Sequence, residues 1–425
     1  MARGRPPSPP PRGSGRARGA RLRAAPDPDG RLKEAPLLTV LSNALLAAAC
    51  TGLLLVTITH LLLRLHLRGR DPAPRAPPAP VSVLKPLCGL DDGLLENLAS
   101  FARQEHPAYE VLLGVRTLDD DAVPVAREAM RRWPGRFRLV LQRGEPGMNP
   151  KVNQLVTLAR EARHGVLVVS DSNVRVDPCY LAGISALLED PEVGLVTHAI
   201  AGVGEEGAGS AMDHLHLASA IAAGVVAAKR LAGHDFVVGK SMAFRREDLA
   251  ALGGFESVKD VLAEDWVLGD RVGRVLGKRV AVSRTPVLNP SARRSVRCFA
   301  GRYARWAVLQ RQAVGEVAYA GQLLLNPTVL AVAALAVEPG APTLAAAGAV
   351  ALARTALDAA MVTRLRGRGL RLRHLALAPA KDLVLGGAWL WGLFRRDVAW
   401  RGNRIVVRRG TRIEPPRPAP AIAGA

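Results

Sequence analysis

Gly165-Val166-Leu167-Val168-Val169-Ser170-Asp171-Ser172-Asn173 is the stretch on which the reading of this chain turns. An unbroken run of branched apolar residues that stops on a carboxylate is the pattern of a strand buried on both faces. Its last residue would stand at the carboxyl edge of the sheet, where open α/β folds place ligand-binding groups. Similar short β-rich runs occur at 81–84, 110–115, 137–141 and 193–196. Amphipathic stretches at 94–104, 123–133, 151–163 and 180–188 separate them. This alternation predicts an α/β fold with a mostly parallel, doubly covered sheet from Val81 to about Val287.

The flanks read differently. Residues 37–63 are almost all Leu, Ala, Val, Ile and Thr, longer than the ~20 residues that cross a bilayer and too long for a signal-peptide core. One transmembrane helix is therefore expected before the sheet. Apolar spans return at 317–337, 341–362 and 375–394, predicting two to three more, the first two joined by a Glu338-Pro339-Gly340 turn. In the second, Arg354 and Asp358 lie four apart and can neutralise one another. The third carries Lys381 and Asp382 and is expected either to cross or to fold back into the protein.

Of 425 residues, enough are basic to leave a formal charge of +21, and the excess is concentrated. Residues 1–35 hold nine Lys/Arg against three acids, 364–373 five Arg against none, and 395–425 eight Arg against two acids. The first segment is rich in Pro, Arg and Gly and is expected to be disordered. The last is a basic tail. Basic segments beside apolar spans predict attraction to anionic lipid head groups. No recognition helix or zinc-finger spacing accompanies the Arg clusters, so nucleic acid is not an expected partner. Cys50, Cys88, Cys179 and Cys298 show no paired spacing and are expected to be small packing residues.

Four motifs punctuate the chain in order: Lys85-Pro86-Leu87-Cys88-Gly89-Leu90-Asp91, then Asp171-Ser172-Asn173, then Glu264-Asp265-Trp266, then Arg302-Tyr303-Ala304-Arg305-Trp306. Asp171 is placed where a divalent cation bridging two phosphate oxygens would sit, although a strand-end Asp also serves as a helix cap. Asn173 stands where a second carboxylate would complete a metal clamp. Glu264-Asp265 opens a helical stretch through Leu276, which a structural cap would also explain. Its position after the sheet and before the returning spans instead makes Asp265 the candidate general base towards an acceptor hydroxyl. The basic, amphipathic stretch 293–312 containing Arg302, Arg305 and Trp306 could by itself be an interfacial anchor.

Taken together, the motifs resemble those of the ceramide glucosyltransferase family, which carry three aspartate motifs and a closing (Q/R)xxRW in this order. Asn149-Pro150-Lys151-Val152-Asn153 is similar to the family's N-P-K-x-N stretch, and Val398-Ala399-Trp400-Arg401-Gly402 to its tail. The family's Gly-Leu-Val-His run is interrupted here by Thr197, which displaces His198 by one position. The resemblance, over roughly residues 40–410, implies a GT-A nucleotide-sugar domain at 81–316, a UDP-sugar donor, inversion at the anomeric carbon and a lipid acceptor. It implies donor binding by Asp91, Asp171, Arg302, Arg305 and Trp306, with Asp119, Asp120 and Asp121 sharing the uridine. Mg2+ or Mn2+ would sit on Asp171, with Arg305 compensating leaving-group charge. Glucose transfer to a lipid such as ceramide is the first expectation; transfer of N-acetylglucosamine to a hopanoid-type lipid is the alternative. The expected location is a membrane, such as a bacterial inner membrane, with 81–316 and the five-Arg loop in the cytosol, because nucleotide sugars are made there and positive loops stay inside. Residues 210–233 are expected to be a shallow amphipathic lid, with a core helix as the competing possibility.

Overall fold

The computed structural model describes residues 1, 29–75, 77–400 and 403–414. Residues 29–35, expected to be disordered, are instead helical; residues 2–28 of that segment, Arg401-Gly402 and the end of the basic tail lie outside the described residues.

Helix α1 (Asp29–His66) leads to a seven-stranded sheet of β1 (Val81–Pro86), β2 (Tyr109–Val115), β3 (Phe137–Leu141), β4 (Val166–Ser170), β5 (Val193–Val203), β6 (Ser241–Arg245) and β7 (Arg279–Pro290). The strand order is β3-β2-β1-β4-β6-β5-β7, and only β6 runs against its neighbours β4 and β5. Val83 stands opposite Val111 on one side and Val168 on the other, so β1 is an interior strand. The pleat sorts side chains by parity. Val83, Val111, Leu113 and Val168 enter a core closed by α2 (Leu94–Ala102), α3 (Ala122–Arg132) and α5 (Tyr180–Leu188). Leu84, Leu112, Leu167 and Val169 enter the opposite core, closed by α4 (Pro150–Glu161), α8 (Arg246–Ala251) and α9 (Glu264–Leu276). Both faces are therefore dry, as the apolar runs require. The sequence reading had no counterpart for β6 and β7, because Ser241-Met-Ala-Phe-Arg is short and β7 is interrupted by Arg284-Thr285-Pro286.

The stretch expected to be a shallow lid is instead α6 (Ala208–His216), a π-helical turn at Leu217–Ile221 and α7 (Ala222–Ala232). Met212, Leu215, Leu217 and Ile221 are each no more than 5 % exposed. Leu215 packs with β5, α1 and residues 361–365, Leu217 and Ile221 with the sheet core, and Met212 with Phe299, Tyr303 and Ala388, so the competing core-helix reading describes this segment.

Three described helical stretches are long and apolar enough to cross a membrane: 36–66 in α1, Ala208–Ala232, and α13 (Ala341–Arg366). The span expected at 317–337 is not one straight helix. After α10 (Val296–Val314), α11 (Glu316–Gly321) and a 3-10 turn at Gln322–Leu325 meet α12 (Pro327–Val337) at an 81° bend. Pro327 cannot continue a preceding helix, and Asn326 restarts one by accepting from the Val329 N–H at 3.4 Å. Gly52, midway along α1, makes room for this bend: a Cβ there would lie 2.0 Å from the Leu324 carbonyl oxygen. Thr39, near the start of α1, donates to Glu338 in the α12–α13 turn at 2.8 Å. The bend is thus at mid-depth, and α12 runs outward from it.

Past α13 and α14 (Leu372–Leu375), α15 (Ala378–Phe394) begins beside Leu365, Leu370 and Ala201 of β5 and ends where Arg311 donates to the Arg395 carbonyl at 2.8 Å. Both its ends lie on the sheet's side of the helical layer. The chain then forms an antiparallel sheet of β8 (Asp397–Trp400), β9 (Asn403–Arg408) and β10 (Arg412–Ile413). The five-Arg loop is on this side too: Arg366 grips both oxygens of Glu205 at 2.9 Å, and Arg364 donates to the Leu67 carbonyl at 2.9 Å. All four cysteines are free and exposed, contrary to the packing role expected of them. They stand on loops or outward helix faces.

Candidate active site

The carboxyl ends of β1 and β4 converge on Asp171. Its Oδ1 is 3.0 Å from Lys151 Nζ and its Oδ2 3.7 Å from Lys240 Nζ. Lys85, at the end of β1 and fully buried, donates to the Asp171 carbonyl at 2.7 Å and the Ser170 hydroxyl at 3.3 Å, with its ammonium 4.0 Å from the Phe101 ring centre. Lys151 is positioned by the start of α4. Asn149 caps that helix, accepting from the Lys151 N–H at 3.0 Å and donating to the Val261 carbonyl at 2.7 Å, while Pro150 takes the first helical position. Asn149-Pro150-Lys151 thus ties α4 to the segment ahead of α9 and aims one ammonium between two carboxylates.

The second carboxylate is Glu264, whose Oε1 lies 2.9 Å from Lys151 Nζ. Beside it, Asp265 accepts from the Gly239 N–H at 2.6 Å and the Trp266 N–H at 2.8 Å. A Cβ at Gly239 would lie 2.9 Å from Asp265 Oδ2 and 3.1 Å from Lys151 Nζ, so any larger residue there would displace these side chains. Lys240, the next residue, donates to Asn173 Oδ1 at 2.6 Å.

Charge is dense here. Burial would raise the Asp171 carboxyl, but Lys151 and Lys240 overcome it and hold the pKa at about 2. Burial, reinforced by the negative charge of Glu264, pushes Asp265 up to about 6 against the pull of Lys151 and the two amides. Burial brings Lys240 down to about 8 and Lys85 to about 7, each partly offset by Asp171. Burial also works against the Lys151 ammonium, yet Asp171 and Glu264 more than restore it and raise its pKa.

Asp91 joins this group, since the Ser172 hydroxyl donates to its carboxylate. Asn97 donates to the Ser172 and Asp92 carbonyls, both at 3.2 Å, and holds the two loops together. Asp120 Oδ1 accepts from the Gly89 and Ala122 N–H groups at 2.9 Å, so it fixes the first motif to α3. Arg302 and Tyr303 gather about a different acid. Arg302 Nη1 is 3.0 Å and the Tyr303 hydroxyl 2.7 Å from Asp213 on α6, and the Arg302 guanidinium lies 5.5 Å from the Trp306 ring centre. Arg305 lies on the same helix α10. His198 is in the core under Tyr180, sharing the Ser241 hydroxyl at 2.8 Å, and burial lowers its pKa to about 3.

Lys240 and Asp213 escaped the sequence reading. Lys240 precedes the unrecognised strand β6, and Asp213 sits inside an otherwise apolar helix, so neither belonged to a motif. For a cation on Asp171, the donor set is a single carboxylate with Asn173 near it, and no group of three His, Cys, Asp or Glu occurs among the described residues. Such a set suits Mg2+ or Mn2+ when substrate phosphates supply the remaining oxygens. Oδ2, with its cation at 3.7 Å, is the oxygen available for it.

Comparison with known proteins places these residues in context. The sequence profile described as glycosyl transferase family 21 matches residues 44–413. The chain is similar to ceramide glucosyltransferase 3 of Caenorhabditis elegans, 30% identical over 235 residues, which are 54% of this chain and 50% of that one. It is also similar to ceramide glucosyltransferase 1 of the same organism, 28% identical over 275 residues, 64% of this chain and 58% of that one. The match thus spans little more than half the length of these relatives. Among solved structures, a mannosyltransferase from Pyrobaculum calidifontis in complex with GDP-Man and Mn2+ aligns with 83% of this chain and 99% of its own, at 22% identity and a TM-score of 0.48.

Proposed function

We propose that this chain, which belongs to glycosyl transferase family 21, transfers glucose from UDP-glucose to the hydroxyl of a membrane lipid such as ceramide, with inversion. The observation that carries the reading is the meeting of Asp171 and Asp265 at one sheet edge, bridged through Lys151 and Glu264 and bordered by apolar helices. The lipid acceptor is supported by the names of the relatives and by those helices.

In this reading the uridine lies by Asp91 and the first-motif loop, and the diphosphate by Asp171. Lys151 and Lys240, 3.0 and 3.7 Å from the Asp171 carboxylate, are the cations nearest it, and in this reading Arg302, Arg305 and Trp306 contribute to donor binding from α10. A Mg2+ or Mn2+ on Asp171 would neutralise diphosphate charge when bound. Asp265 takes the proton from the acceptor hydroxyl as its oxygen attacks the anomeric carbon from the side opposite the diphosphate. The new C–O bond forms as the bond to UDP breaks, UDP leaves with the electron pair, and the proton remains on Asp265. Because the donor is a cytosolic metabolite, the sheet side faces the cytosol, where the Arg-rich loop and tail meet anionic lipid head groups.

The test is transfer by the purified protein in detergent, given UDP-glucose and short-chain ceramide. A β-linked glucosyl lipid is expected, identified by its anomeric coupling. An α-linked product would remove the single displacement, and no lipid product with either UDP-glucose or UDP-N-acetylglucosamine would remove the reading.

A further inference from the structure

Between the sheet and the helical layer lies a cavity of about 330 Å3, bounded by α7, α10, α11 and α15. Phe236 and Trp306 line one end and Arg354 and Asp382 the other, and Tyr303 and His216 line it in edge contact, their ring centres 4.5 Å apart. Phe236 stands three residues before Gly239, whose N–H holds Asp265. This end of the cavity is thus joined by one short segment of chain to the proposed base, and from it the cavity runs into the helical layer. The π-helical turn at Leu217–Ile221 forms part of its wall, and such one-turn bulges recur at functional sites.

The far end is charged where charge is expensive. Arg354 is 2.6 Å from Asp358, Lys381 is 2.5 Å from Asp358 and 2.9 Å from Asp382, and Thr328 donates to Asp382 at 2.7 Å. All four charged side chains are no more than 3 % exposed. The Ser219 hydroxyl, in the π turn, accepts from Arg354 at 3.3 Å, and its carbonyl pairs with His60 on α1 at 2.8 Å. His60 stands six residues before the end of α1, so the group lies about 9 Å below that end. A buried ion network is weak evidence for stability, since apolar packing of the same volume does as well or better. Ionisable groups at membrane depth that border a cavity mark functional sites.

Two features limit what the cavity can take. Two acids offset two bases, so no net charge awaits an anion. Hydrogen-bonding capacity nevertheless remains, because Arg354 Nε and His216 Nδ1 have no hydrogen-bond partner among the described residues, and the Asp382 carboxylate is 3.8 Å from Arg354 Nε. At the side, the lining residue Leu325 is 46 % exposed.

We propose that this cavity receives the uncharged, hydrogen-bonding head of the acceptor lipid, with Arg354, Asp382 and His216 holding its polar groups and the reacting hydroxyl at the Phe236–Trp306 end. The proposal rests on the lipid-acceptor reading above and adds where that lipid binds and what head it must carry. Its hydrocarbon leaves past Leu325.

Gly224 allows a test that leaves the charges alone. It lines the cavity, and an added Cβ meets nothing within 4 Å, so Gly224→Leu fills the space without pressing on the backbone. This variant should melt like the wild type, keep the KM for UDP-glucose, and raise the KM for short-chain ceramide at least tenfold. An unchanged ceramide KM in a wild-type-like fold overturns the proposal. Diazirine-bearing short-chain ceramide provides a readout independent of turnover. It should label peptides containing Phe236, Trp306 or Leu385 in the wild type, lose that labelling in Gly224→Leu, and be displaced at least tenfold more weakly by ceramide phosphate than by ceramide. Labelling elsewhere, or equal displacement by the anionic lipid, overturns the proposal whether or not transfer is detected. Site labelling without any glucosyl product would instead sink the catalytic reading and leave the binding site standing.

Discussion

Asp265 draws its expected behaviour from its neighbours. A general base acts deprotonated, and burial with the Glu264 charge sets its pKa at about 6. The kcat/KM should therefore climb tenfold per pH unit in acid and level off above about pH 6. Glu264→Gln, by removing the negative charge, should move that limb to lower pH. Asp265→Asn should bind donor normally and lose roughly 10²–10⁴ in turnover; near-normal turnover would falsify its role as base. Lys240 must be protonated to hold phosphate, so kcat/KM should fall above about pH 8, and Lys240→Met should abolish that limb while raising the donor KM. Excess chelator should lower the rate if the cation on Asp171 takes part. Full activity with it would leave charge compensation to Lys151, Lys240 and the arginines. Asp171 and Asp265 could be singled out in the chain because each ends or begins an element. Lys240 could not, because its significance lies in a 2.6 Å contact with Asn173, 67 residues away.

Among the elements, the C-terminal sheet has the clearest consequence. Leu262 donates to the Thr411 carbonyl at 2.9 Å and Ile413 to the Asp260 carbonyl at 2.8 Å, so β10 and the turn before it clamp the segment that delivers Glu264 and Asp265. Leu262 also packs with Val308, Val398 and Val407. Misplacing a base by about 1 Å can cost on the order of 10²-fold. Truncation after Arg396 should produce a loss of that size in kcat with little change in donor KM. Retention of full kcat would show that the segment before α9 holds itself. Such a clamp was not legible beforehand, since the tail reads as basic and irregular and its pairing partners lie about 150 residues upstream. By contrast, α9 was legible to the residue, because Glu264-Asp265 and Gly277 bound one amphipathic stretch and the helix dipole and left-handed cap favour those residues there.

For the whole molecule, orientation is the open variable, and the structure reduces it to one choice. The five-Arg loop, both ends of α15 and the C-terminal sheet all lie on the sheet's side, so a single probe reports on them together. With the four exposed cysteines replaced, Arg368→Cys should react with a membrane-impermeant thiol reagent only after the cytosolic face is opened. Reaction from outside intact cells would invert the proposed topology. The sequence alone determined the α/β class, the first five strands and the existence of apolar spans, because period and length in a local window dictate which faces must be dry. It also marked the acids, because each lies at an element boundary. Only the tertiary structure decided that Arg302 and Tyr303 gather on Asp213, that lysines surround Asp171, that residues 210–233 are core, and that the helix before Pro327 bends. Those outcomes depend on which distant side chains share one buried volume, where unpaired charge and empty space are both costly. Local pattern carries no record of that.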